Sequence, residues 1–221
     1  MKLPVKEIAV AAFLGASASV SAVNLSLTPG TFGGMPADDP ARLGALKASL
    51  TSADVQDQPE LQFTARVDSM VYALDPNNPW SAAGGLTFWY RIANIDDGVT
   101  EGRPLLGLGI PLDFPTAAIE VNQDDSAPGA APADIAGFNG AGNALVFEWI
   151  GDNTIKLAGT SAWVAMYTDY TDCMQGLVSV VDGTAEDIPA LVPILVPEPT
   201  TYAGLFALGL AGFAAYRRFR G

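Results

Sequence analysis

The stretch Gly85-Leu-Thr-Phe-Trp-Tyr-Arg-Ile-Ala-Asn-Ile95 alternates without a break. Leu86, Phe88, Tyr90 and Ile92 fall on one side and Thr87, Trp89, Arg91 and Ala93 on the other, the two-residue period of a strand with one face in a core. Upstream, Leu61-Gln-Phe-Thr-Ala-Arg-Val67 repeats the pattern, with Leu61, Phe63, Ala65 and Val67 against Gln62, Thr64 and Arg66. Downstream, NALVFEWI (143–150), TSAWVAMYTDY (160–170) and GLVSVVDG (176–183) continue it. Between these runs lie DPNNPW (75–80), NIDDG (94–98), NQDDSAPGAAPAD (122–134), GDN (151–153) and DGTAED (182–187), all rich in turn-forming residues. Short strands separated by turns, with no long amphipathic helix competing, predict an all-β body over 61–195, an antiparallel β-sandwich or jelly-roll-like fold.

Residues 23–60 read differently. TPGTFGGMPADDPARLG (28–44) is dense in Gly, Pro and Asp and reads as an irregular lead-in, and the spacing of Leu43, Leu46 and Leu50 predicts a short helix within it.

Composition removes several chemistries. From Val23 to Val196 there are 22 acidic residues against six basic ones, Arg42, Lys47, Arg66, Arg91, Arg103 and Lys156, a net charge of −16. Phosphate backbones are bound by clustered cations, so nucleic acid is not an expected partner. The chain has no histidine, which excludes Ser-His-Asp and Cys-His catalysis. Cys173 is the single cysteine, so no internal disulfide forms, and with no cation beside it in sequence an inert thiol is expected. The pairs Asp96-Asp97 and Asp124-Asp125 lack the spacing of a calcium loop and read as solvated turns. No catalytic, cofactor or metal residues are assigned. Two rival readings of the body stay open: a carbohydrate-binding module stacking sugars on Trp80, Trp89, Trp149 and Trp163, and a glycan hydrolase built on two carboxylates.

Both ends of the chain are hydrophobic, for different reasons. Lys2 and Lys6 precede an apolar run from Ile8 to Val20, and small residues follow. That is the plan of a signal peptide over 1–22, cleaved between Ala22 and Val23. At the other end, the prolines of Val196-Pro197-Glu198-Pro199 enforce extended backbone up to Glu198. Pro199 then suits the first turn of a helix, and Glu198 complements its positive end. Thirteen residues without charge, Ala203 to Ala215, would span roughly 20 Å as a helix, and the flanking Thr200, Thr201, Tyr202 and Tyr216 bring it near the length of a membrane anchor. Arg217, Arg218 and Arg220 act as a stop-transfer cluster.

The order Pro-Glu-Pro, short Gly/Ala-rich hydrophobic helix and terminal arginines over Val196–Arg220 resembles the PEP-CTERM sorting signal of exported Gram-negative bacterial proteins. The body is more loosely similar to bodies that carry this signal, in Gly85–Asn94 and in Thr160–Gly183. The resemblance implies recognition and processing by an exosortase, with Val196, Pro197, Glu198 and Pro199 as substrate residues. It further implies transient anchoring in the inner membrane through the helix within 196–221, then release to the cell surface or extracellular matrix, with exopolysaccharide as a candidate partner. The expected product is a non-enzymatic structural or adhesive surface protein.

Overall fold

The computed structural model describes residues 24–194, apart from 29–30, 37–41, 59, 113–118 and 140–141. Thirteen strands build it: β1 (Leu25–Leu27), β2 (Phe32–Gly34), β3 (Ala45–Thr51), β4 (Val55–Gln56), β5 (Thr64–Ala73), β6 (Thr87–Asn94), β7 (Gly107–Pro111), β8 (Ile119–Asp124), β9 (Ile135–Phe138), β10 (Ala144–Glu148), β11 (Trp163–Tyr167), β12 (Asp172–Val181) and β13 (Ala185–Ile194). One sheet runs β1-β8-β11-β6-β5-β3, with β4 also on β5, and the other runs β13-β12-β7-β10-β9-β2. The ladders within both are antiparallel. The fold is therefore the all-β sandwich that the alternation predicts.

Period-two patterning sets the core. Phe88, Tyr90 and Ile92 of β6, Val164 and Met166 of β11, Leu108 and Ile110 of β7, and Leu145 and Phe147 of β10 are all fully buried between the sheets. Each such side chain contributes roughly 1.5–3 kcal/mol of transfer free energy. The opposite face of β6 and β11 is covered too: Trp89, Ala165 and Tyr167 have no exposed surface, and Trp163, Met70, Tyr72 and Trp80 pack with them. The first sheet is thus apolar on both sides, which simple alternation does not foretell.

Segment 23–60 corrects the expectation of an irregular lead-in, since β1 to β4 lie within it and β1 and β2 close one side of the sandwich from opposite sheets. The expected helix around Leu43–Leu50 is strand β3. The three leucines do not share a face: Leu43, which precedes the strand, and Leu46 are exposed while Leu50 meets the core, and the register shifts between Leu46 and Ala48. Pairing with β5 overrides a spacing that a helix and a bulged strand both satisfy.

The other side of the sandwich is closed by β13. As an edge strand it tolerates Pro189 and Pro193, which lack the N–H that an interior strand would need. On that same free edge the Leu191 N–H donates to Ser69 Oγ at 3.0 Å and its carbonyl accepts from Tyr90 Oη at 2.7 Å. Both partners belong to the facing sheet, so the edge is satisfied by the sandwich itself. Ile194, the last described residue, pairs with Asp172 at the far end of this hairpin from its Asp182–Thr184 turn.

Candidate functional site

The residues assigned to signal cleavage, Ala22 and Val23, to sorting, Val196, Pro197, Glu198 and Pro199, and to stop-transfer, Arg217, Arg218 and Arg220, lie outside the described residues. Among the described residues no helix is long and apolar enough to cross a membrane. The described body does fix the point from which the sorting segment departs, the Ile194 end of β13.

The groups singled out in the body have structural partners. Trp89, Trp149 and Trp163 are buried and Trp80 is half-buried. Trp149 donates from Nε1 to the Ala131 carbonyl at 2.9 Å. Trp163 has two guanidinium groups within 5 Å of its ring, Arg42 at 4.9 Å and Arg91 at 4.8 Å. Arg91 also grips Asp68 Oδ2 from Nε at 3.1 Å and from Nη2 at 2.6 Å, and Arg42 lies 3.5 Å from Asp124. A row of three indole faces open to a sugar is not what this arrangement offers.

The aspartates fasten loops. Asp97 Oδ2 accepts from Thr64 Oγ1 at 2.6 Å and Gln56 Nε2 at 2.8 Å, while its Oδ1 accepts from the amides of Val99 and Thr100 and from Thr100 Oγ1. These bonds, the Thr100 amide foremost, hold its carboxyl well below the usual carboxylate range. A depressed folded-state value stabilises the fold above the unfolded value and loses that contribution as pH falls through the folded one. Asp97→Asn is therefore expected to melt below wild type at pH 7, and the gap to narrow progressively as pH drops below about 4, closing only below the depressed folded-state value. Thermal melts at pH 7 and pH 3 check this; a gap of equal size at both would show that Asp97 acts without its charge. Asp134, which sequence patterning does not single out, plays a similar part: it accepts from the Ile150 amide at 2.6 Å and from Asn153 Nδ2 at 2.7 Å.

Cys173 is half-buried, and burial pushes its thiol up, against the opposing pull of Lys47. Folding thus brings a cation near this thiol that sequence proximity did not show, yet Lys47 Nζ is engaged by Asp172 Oδ1 at 3.0 Å and the thiol stays protonated at neutral pH.

Among the described residues, the outer face of the second sheet carries a cleft. One cross-strand row runs Asp187, Ser179, Gly109, Val146, Gly137, Phe32. The adjacent row carries Val181, Gly107, Glu148 and Ile135. A Cβ on Gly107 or Gly109 would meet only ordinary van der Waals neighbours, the nearest at 3.5 Å and 3.8 Å, so nothing inside the fold demands glycine there. What their missing side chains leave is a trough. Around Gly107 a cleft of about 490 Å³ is lined by Leu106, Val146, Glu148, Trp149, Ile150 and Val181, mostly apolar with one carboxylate. Among the described residues lining this cleft, Glu148 has no second carboxylate beside it.

Residues 195–218 match the family model described as the PEP-CTERM protein-sorting motif, in agreement with the resemblance of Val196–Arg220. No curated protein and no solved structure matches the chain.

Proposed function

Since the chain carries the PEP-CTERM protein-sorting motif and is thereby an exported protein sorted to the cell surface by an exosortase, we propose that its β-sandwich acts there as a non-enzymatic structural or adhesive unit. The tail is the address, held in the inner membrane of a Gram-negative cell until it is processed, and the body is what is delivered. The partner proposed for the body is exopolysaccharide. The observation that carries this reading is the trough: a flat, glycine-floored, largely apolar strip suits the C–H faces of a neutral polymer, with Glu148, Ser179 and Asp187 beside it for hydroxyls. The engagement of Trp89, Trp149 and Trp163 within the fold supports a contact made by the sheet surface, and the net charge of −16 over residues 23–196 disfavours polyanions.

Co-sedimentation of the exported protein with exopolysaccharide from the same cells tests it. Wild type is expected in the pellet. Gly109→Val, whose Cβ would meet only ordinary van der Waals neighbours, is expected to weaken binding roughly tenfold, about 1.4 kcal/mol. Wild-type protein left in the supernatant would remove the adhesive reading, and release of reducing ends from the polymer would replace it with carboxylate-based hydrolysis.

A further inference from the structure

Two carboxylates far apart in sequence meet at the end of the sandwich opposite Ile194. Asp57 follows β4, and Asp182 opens the three-residue turn between β12 and β13. They are only 2% and 9% exposed. Thr184 Oγ1 lies between them, 3.0 Å from Asp57 Oδ2 and 2.9 Å from Asp182 Oδ1. A hydroxyl carries one proton and donates one hydrogen bond, so it serves one of these oxygens and turns a lone pair to the other; Asp182 Oδ1 also accepts the Thr184 amide at 3.1 Å. Asp182 Oδ2, on the same carboxylate, is buried without any partner.

A buried ionised carboxylate needs a compensating charge or several donors. Among the described residues that charge does not come from a side chain. Arg42, Lys47, Arg66, Arg91 and Arg103 are paired with Asp124, Asp172, Asp54, Asp68 and Glu101 respectively, and among the described residues no ion pair joins Lys156, the sixth cation of the body, to Asp57 or Asp182. The turn itself continues into Glu186 and Asp187, which adds negative potential.

From the two nine-tenths-buried carboxylates, the orphaned Asp182 Oδ2 and the all-oxygen donor set, we infer that Asp57, Asp182 and Thr184 form a site for a hard divalent cation of calcium size. The ion bridges the two carboxylates, accepts the lone pair of Thr184 Oγ1 and completes its shell with water. It pins the segment after β4 to the β12–β13 turn, joining the two sheets at this end. Calcium fits because its six to eight oxygen ligands need no fixed geometry, whereas magnesium demands a near-ideal octahedron and gives up water reluctantly.

Thermal melts of the full chain in detergent, with and without 5 mM CaCl₂ or MgCl₂, test the site. Sites of exported modules bind calcium with a Kd of about 0.1–1 mM, so the folded-to-unfolded ratio is expected to rise about six- to fifty-fold with ~5 mM calcium and little with magnesium. Asp182→Asn is expected to lose the calcium response. Because that variant changes a buried turn, terbium titration of wild type, read through tryptophan-sensitised luminescence and competed with calcium, gives a second measure: one competable ion per chain is expected. An unchanged wild-type melt with calcium would overturn the inference. A calcium response retained in Asp182→Asn would place the ion elsewhere and overturn it equally, and Asp182→Asn more stable than wild type in chelator with no calcium effect on either would assign a shared proton to the pair instead.

Discussion

In cells producing Glu198→Ala, the chain is expected to accumulate at full length less its signal peptide, with the tail uncut and still in the inner membrane, while mature-length protein outside the cell falls below about a tenth of wild type. Glu198 stands between Pro197 and Pro199, within the matched sorting motif and beyond the last described strand, so it can be read by a processing enzyme without disturbing the core. Loss of the interaction with a helix N-terminus that the sequence predicts would cost only about 0.3–1 kcal/mol, too little to unfold the body or release an anchor. A tenfold loss of product therefore has to arise at recognition. Fractionation with an antibody against the body reads both pools. Wild-type levels of mature protein outside the cell would mean that Glu198 is not a recognition residue.

Trp149→Ala is expected to lower the stability of the body by about 3–5 kcal/mol, measured by urea unfolding. Its indole is 1% exposed and packs in the inter-sheet core, and its Nε1–H is the donor for the Ala131 carbonyl. Removal opens a cavity and strips that carbonyl of its indole donor, a further ~1–3 kcal/mol if the carbonyl finds no other partner. Against a typical stability of about 5–15 kcal/mol, this is a large fraction. The result separates two roles for the residue: an indole held for sugar stacking would lose polymer binding with little change in the urea midpoint. A midpoint within error of wild type would show that Trp149 is not structural.

Much of the legible part of this fold lies in strands long enough to alternate, but length alone does not decide it. β8 and β13 have six and ten residues, and their ends fall in the segments 122–134 and 182–187 that read as turns. β5, β6, β10, β11 and β12 each follow from a run of five or more residues, and together they span both sheets. The missed strands have definite physical reasons. β1, β2 and β4 are two or three residues long, below any periodic signal. β7 reads Gly-Leu-Gly-Ile-Pro, where glycine hides the pattern because it leaves one face bare by design of the trough. β13 carries two prolines, a veto for an interior strand and harmless at an edge. Of the candidate sites, the sorting segment was legible because it is contiguous. The trough and the Asp57–Thr184–Asp182 cluster were not, because the first is a property of neighbouring strands and the second joins residues 127 positions apart.

The position of β13 also decides how the body answers a mechanical load. Whatever holds the chain from its C-terminal side pulls on Ile194, and a force along the strand loads all ten β12–β13 pairs, from Asp172–Ile194 to Val181–Ala185, in shear. Shear must break these pairs together, whereas peeling would break them one at a time. The cross-sheet clasp of Leu191 by Ser69 and Tyr90 resists the peeling direction as well. While the tail remains attached, tension reaches the rest of the sandwich through its longest hairpin, and a surface exposed to flow could be dragged without first losing its last strand.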